Sequence, residues 1–122
     1  MIVVSDTTPL ISLLKISRLD LLEKLFGEVL IPSAVFNELT TDERFQLEAN
    51  QIRQEKFIVV KEVNNLESVS ILKRATGLDQ GESEAIVLTD ELKADLLLMD
   101  EAKGRNVSAQ MEIGRASCRE RV

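Results

Sequence analysis

The chain has 122 residues and a formal charge of −6, with one Cys and no His, Trp or Tyr. The lack of His excludes a Ser-His-Asp triad, a histidine general base and a histidine-ligated zinc site, and a single Cys excludes disulfides and thiolate metal sites. The negative charge argues against phosphate binding by Lys and Arg alone, but clustered acidic residues can bind a metal ion that reverses the local field.

The N-terminal sequence MIVVSDTTPL lacks the basic region and the small-residue cleavage site of a signal peptide. No apolar run in the chain reaches the length that spans a membrane. We therefore expect a cytoplasmic protein that makes no contact with membranes.

Short apolar runs alternate with amphipathic segments along the chain, and the core must be built from Leu, Ile and Val because aromatic residues are scarce. The apolar runs predict strands at residues 2–5, 29–32, 57–63 and 95–99. The other segments predict helices at residues 8–16, 18–26, 33–40, 42–56, 67–76, 78–92 and 101–110. This alternation is typical of an α/β fold with a mainly parallel central sheet.

Capping residues mark several of these helices. Thr8 followed by Pro9 predicts the start of the first helix, since Thr caps free amides and Pro is tolerated at the first helical position. Gly27 predicts the end of the second helix. Asp79 predicts the cap of the 78–92 helix, whose first turn carries two Glu residues that the helix dipole favours.

The pattern changes near residue 112. The last segment, EIGRASCRERV, has no apolar periodicity and contains the only Cys. It resembles the translation of a common sequencing-library adapter read in frame. We therefore expect one domain over residues 1–111 and a non-native tail over 112–122, with the natural sequence after Met111 absent.

Two predicted strands end at an Asp, the first at Asp6 and the fourth at Asp100. If these strands are neighbours in a parallel sheet, about 4.8 Å apart, their carboxylates meet at one edge. Two such charges about 4 Å apart repel by about 4 kcal/mol at an effective dielectric of 20, so either a cation lies between them or one carboxyl keeps a proton. With oxygen ligands and no His or Cys, the cation would be Mg²⁺ or Mn²⁺.

Four segments, VSDTTPLISL, IPSAVFNELT, LDQGESEAIVL and ADLLLMDEAKGR, resemble those of PIN-domain proteins and occur in the family's order over nearly all of residues 1–111. They are most similar to small prokaryotic PIN-like nucleases related to the toxins of toxin–antitoxin pairs. The resemblance implies a three-layer α/β/α fold. Family members carry a further strand and a last helix, so the C-terminal strand and helix are expected to be missing here.

The resemblance also implies a metal-dependent endoribonuclease, in which acidic residues bind one or two divalent ions and metal-activated water cleaves the phosphodiester. The residues that match the family's acids are Asp6, Glu38, Glu84 and Asp100. Of these, the expected metal ligands are Asp6, Glu84 and Asp100. Glu82, which precedes Asp100 by 18 residues where Glu84 precedes it by 16, is an alternative to Glu84. Helical residues two apart point in different directions, so we expect only one of the two to face the metal. The candidates for RNA contact are Thr7, Lys103 and Arg105.

The partners implied are an RNA substrate, a second copy of the full-length chain in a homodimer and, for a toxin, an antitoxin protein. One alternative is a PIN-like binding or regulatory module without activity, since the third acid of the family is more often Asp. A receiver-type phosphoacceptor normally needs an acidic pair after the first strand, where this chain has only Asp6. A phosphatase of the haloacid-dehalogenase type would need Asp-x-Asp, where this chain has Asp-Thr-Thr.

Overall fold

The computed structural model describes residues 1–99. Residues 100–122 lie outside the described residues. They include three candidate site residues, the predicted last helix at 101–110 and the predicted tail at 112–122. The three candidates are Asp100, Lys103 and Arg105.

The four strands predicted from apolar runs form one sheet in which every pairing is parallel. The strands are β1 (Val3–Ser5), β2 (Val29–Pro32), β3 (Ile58–Lys61) and β4 (Leu96–Leu98). Their order is β3-β2-β1-β4, so β1 lies between β2 and β4, and Val4 is in register with both Leu30 and Leu97. The prediction of an α/β fold with a parallel sheet is confirmed.

Within the described residues, six α-helices cover the sheet. They are α1 (Thr7–Lys15), α2 (Asp20–Phe26), α3 (Ser33–Thr41), α4 (Gln46–Gln54), α5 (Leu66–Thr76) and α6 (Gln80–Leu92). No helix within residues 1–99 combines the length and apolar character needed to span a bilayer.

Alternate residues of each strand enter two separate hydrophobic clusters, as a sheet buried on both faces requires. Val3 and Ile31 pack with side chains of α1 to α4 on one face. Val4 and Leu97 pack with side chains of α5 and α6 on the other. The two clusters give the three layers, α/β/α, that the family resemblance implied.

Several predicted helix boundaries were wrong by one or more residues, and two of these differences have a clear local cause. The first helix begins at Thr7, not Thr8, because Asp6 keeps an extended backbone (φ −87°, ψ 178°) and is itself the N-cap residue. The predicted helix over 42–56 is interrupted at its start by a 3₁₀ turn at Glu43–Phe45. The Asp42 carboxylate accepts hydrogen bonds from the backbone and side chain of Arg44, and this local bonding closes the tighter turn before α4 begins.

Candidate metal centre

Asp6 lies at the carboxyl end of β1, beside the end of β4. Its backbone N–H donates to the Leu98 carbonyl oxygen at 2.9 Å, which continues the β1–β4 pairing by one residue. The predicted neighbourhood of these two strand ends is therefore present, although Asp100 itself lies outside the described residues. The Asp6 side chain is buried, with 3% of its surface exposed.

The pKa of the Asp6 carboxyl is raised from 3.8 to about 7, and burial is the largest cause. The backbone amide of Thr7 opposes this shift by hydrogen bonding, whereas the charges of Glu82, Asp79 and Glu38 contribute to it. These three acids come from α3 and from the start of α6, so they approach Asp6 from outside its own strand. Together they make a region of negative potential at the carboxyl end of the sheet.

Glu38 lies on α3 and contacts the residue that follows Asp6. The Thr7 hydroxyl donates to Glu38 Oε2 at 3.1 Å. Partial burial raises the pKa of Glu38, the Thr7 hydrogen bond lowers it, and the charges of Asp79 and Glu82 raise it again. The Thr7 hydroxyl, predicted as a candidate for RNA contact, therefore orients an acidic side chain in this structure.

The first turn of α6 contains a capping box formed by two acids whose charges act on Asp6. The Glu82 backbone N–H donates to Asp79 Oδ1 at 2.8 Å, and the Asp79 backbone N–H donates to Glu82 Oε1 at 3.0 Å. The prediction of Asp79 as the cap is confirmed. What sequence reasoning missed is that Asp79 also adds charge beside Asp6, and the signal available was its spacing of three from Glu82.

Glu84 has a different environment. Its Oε1 accepts from the backbone N–H of Ala34 at 3.2 Å, and its Oε2 accepts from Gln80 Nε2 at 2.7 Å. The charges that act on the pKa of both Asp6 and Glu38 are those of Asp79 and Glu82. Asp6, Glu38 and Glu82 are thus near enough for their charges to interact, whereas the Glu84 carboxylate bonds at the start of α3.

Gly81 allows α6 to approach α3 closely. A Cβ atom at this position would lie 3.1 Å from Glu38 Oε2 and 3.4 Å from Val35 Cγ2. Sequence reasoning did not single out Gly81, although a Gly in the first turn of a helix is unfavourable enough to need a packing reason. The two helices border a cleft that is lined by Ser33, Ala34, Asn37, Glu38, Thr41, Asp79, Gln80, Gly81 and Glu84.

The donor chemistry of this region suits a hard divalent cation, because every candidate ligand is a carboxylate oxygen. A cation beside Asp6 would also offset the unfavourable burial of its charge. Within residues 1–99, however, no three acidic side chains converge closely enough to form a metal-binding group by themselves. Residues 1–99 thus provide the kind of ligand that a metal centre needs, but they do not provide three such ligands close together.

A family model described as DUF3368, a PIN domain, matches residues 2–116 of the chain. The match reaches five residues past Met111, and the nature of residues 112–122 stays a prediction. Comparisons with curated proteins and with solved structures gave no match. PIN domains are generally nucleases and typically use divalent metal ions. Because the match spans nearly the whole sequence and the fold agrees with it, the chain belongs to the PIN-domain family.

Proposed function

We propose that this protein is a Mg²⁺- or Mn²⁺-dependent endoribonuclease. The observation that carries the proposal is the buried Asp6 carboxyl at the end of the central strand, with its pKa raised to about 7 and three further acids around it. Burying an acid in this way destabilises its ionised form, and a site that binds a cation gives a physical reason for the arrangement.

The proposed ligands are Asp6, Glu82 and Asp100, with Glu38 contributing from α3. Glu82 replaces Glu84, the residue favoured by the family pattern, because the charge of Glu82 acts on the pKa of both Asp6 and Glu38. Glu84 instead accepts hydrogen bonds from Ala34 and Gln80. Asp100 is proposed from its position in the sequence, directly after Met99 at the end of the β4 segment. It would supply the carboxylate that residues 1–99 lack.

When bound, the metal would lower the pKa of a water molecule and neutralise charge on the phosphate. Thr7 keeps Glu38 in place by donating its hydroxyl proton to Oε2. Asp6 keeps a proton on its carboxyl below about pH 7 unless a cation is nearby, so its ionisation and cation binding favour each other. A side-chain nucleophile is unnecessary in this chemistry, which agrees with a chain that contains no His.

Single-stranded RNA is proposed as the substrate, by similarity to the family. Lys103 and Arg105 are the proposed contacts to its backbone, since they follow Asp100 closely in the sequence. We also propose a cytoplasmic location. If the full-length protein acts as a toxin, it would form a homodimer and be held inactive by an antitoxin protein.

The test is cleavage of a labelled single-stranded RNA with Mn²⁺, with Mg²⁺ and with EDTA. We expect Asp6→Asn to lower the metal-dependent rate by about 100-fold or more, since a ligand contributes at least as much as the outer-shell groups that support it. Asp90→Asn is the matched control, because Asp90 is an exposed residue near the other end of α6. Absence of cleavage by the wild-type protein with either metal would instead favour a binding or regulatory module.

A further inference from the structure

The first turn of α6 presents acids to two different partners. Asp79 and Glu82, three residues apart, bond to each other and act on the pKa of Asp6 and Glu38. Gln80 and Glu84, four residues apart, bond to each other and reach the start of α3. Because side chains two residues apart diverge on a helix, the two acids of the Glu-Ser-Glu segment serve different elements.

The start of α3 needs a partner from elsewhere in the fold. The first amides of a helix have no acceptor within the helix, and the N-cap residue usually provides one through its side chain. The N-cap residue of α3 is Pro32, and in the described part of the chain it makes no side-chain cap bond. Glu84, which is 50 residues away in sequence, accepts from the Ala34 N–H at 3.2 Å in its place.

The surroundings of Glu84 favour its role as the acceptor for the Ala34 amide. It is 7% exposed, so its carboxylate is shielded from water, and a negative charge at a helix N-terminus is favourable. Lys73 Nζ donates to Gln80 Oε1 at 2.8 Å, which turns the other end of that amide toward Glu84. The contact therefore links α5, α6 and α3 in one chain of hydrogen bonds.

The contact between Glu84 and Ala34 also affects the position of Glu38. Residues 34 and 38 are four apart and share one face of α3. The Ala34 amide, which Glu84 accepts, therefore lies one helical turn before Glu38. The Thr7 hydroxyl donates to the Glu38 carboxylate, and Gly81 leaves room for that carboxylate against α6. A shift at the start of α3 would move Glu38 relative to Asp6.

We propose that Glu84 is a positioning residue: it caps α3 across the helix interface and thereby sets the position of Glu38 in the metal centre. This inference rests on the proposed nuclease function. It separates the two acids by role, with Glu82 as a ligand and Glu84 as a support.

Three variants of the full chain test this assignment by RNA cleavage with Mn²⁺ and by thermal unfolding. Glu84→Gln keeps an oxygen acceptor for the Ala34 amide, so we expect its rate within about threefold of the wild type. Glu84→Leu removes the acceptor, so we expect the cleavage rate to fall by about tenfold or more and the melting temperature to decrease.

Glu82→Gln is the comparison variant at a proposed ligand, and we expect its cleavage rate to fall by about 100-fold. Glu67→Gln, on the exposed surface of α5, is its matched control.

A second-site variant distinguishes support from ligation. In the Glu84→Leu background, Pro32→Ser gives α3 an ordinary N-cap side chain, and we expect it to restore most of the lost rate. A serine at that position cannot replace a carboxylate ligand. Pro32→Ser alone is the control. Hydrogen exchange gives a readout that does not depend on activity: the Ala34 amide should exchange faster in Glu84→Leu and slow again in the double variant.

The outcomes separate the two proposals. The assignment of Glu84 is overturned if Glu84→Gln loses as much activity and Mn²⁺ affinity as Glu82→Gln while Ala34 exchange is unchanged. It is also overturned if Pro32→Ser slows exchange without restoring the rate. A wild-type protein that neither cleaves RNA nor binds Mn²⁺ overturns the proposed function, and the role inferred for Glu84 in the metal centre falls with it.

Discussion

A single residue, Asp6, shows how burial and charge combine in this protein. Its backbone completes the pairing of the two central strands, which fixes the side chain where solvent is nearly excluded. The same position brings it within the field of acids from α3 and α6. The carboxyl is therefore favoured in its neutral form when no cation is present, and its ionisation opposes folding.

This ionisation predicts a pH-dependent stability. The pKa of Asp6 is about 7 in the folded chain, against 3.8 for an aspartate exposed to water. Because the pKa of Asp6 is higher in the folded than in the unfolded chain, the protonated carboxyl stabilises the folded chain. This contribution to the free energy of unfolding is complete below the unfolded pKa and is lost as the pH rises to about 7. The total is on the order of 4 kcal/mol.

Asp6→Asn removes this titration. In EDTA, we expect its advantage over the wild type in free energy of unfolding to be larger at pH 8 than at pH 5, by about 3 kcal/mol. Urea unfolding at the two pH values measures the difference. An equal advantage at both values would contradict the raised pKa, and Asp90→Asn controls for the change in net charge.

At the scale of elements, α6 is the helix on which the site depends most. Its residues from Gly81 to Thr89 are all buried, although several of them are polar. Most of these polar groups have partners, such as the Glu84 carboxylate and the Thr89 hydroxyl, which donates to the Ala85 carbonyl at 2.7 Å. Among residues 1–99, Ser83 Oγ is the buried side-chain atom that lacks a hydrogen-bond partner.

Ser83→Ala should therefore stabilise the protein. It removes a fully buried hydroxyl that has lost water without gaining a partner, and we expect a gain of about 1 kcal/mol in free energy of unfolding. Thr89→Val is the matched comparison on the same helix, because it removes a hydroxyl that is bonded, and we expect it to cost about 1 kcal/mol. Denaturant unfolding of both variants measures these changes. A loss of stability in Ser83→Ala would show that the Ser83 hydroxyl has a hydrogen-bond partner in the folded protein.

At the scale of the whole molecule, the acidic region joins three parts of the chain that are distant in sequence. Asp6 follows β1, Glu38 lies on α3 and Glu82 on α6, and the parallel sheet brings their elements to one edge. Such a region exists only in the folded chain. A cation that binds there must stabilise the native state by mass action.

We expect Mn²⁺ to raise the melting temperature of the wild type at pH 7. At a concentration 100 times the dissociation constant, the gain corresponds to about 3 kcal/mol. The rise should be much smaller for Asp6→Asn and unchanged for Asp90→Asn, with ionic strength kept constant. Differential scanning calorimetry measures the effect, and an identical rise in Asp6→Asn would argue against Asp6 as a ligand.

Local patterns in the sequence determined much of this protein. Short apolar runs separated by helical segments predict a parallel sheet, because crossover connections return each strand in the same direction. The position of Asp6 at a strand end and of Asp79 at a helix start also follows from neighbouring residues alone. These features depend on backbone geometry and burial, which short segments encode.

Only the tertiary structure decided which groups the acids contact. Glu82 and Glu84 are two residues apart and equally acceptable in a first helical turn, so spacing could not assign them. The role proposed for Glu84 depends on the Ala34 amide, which donates to Glu84 across 50 residues, while Pro32 makes no side-chain cap bond. It depends equally on the strand order that sets Asp6 between β2 and β4. Contacts between distant segments arise from packing, and no local pattern records which partner a side chain will meet.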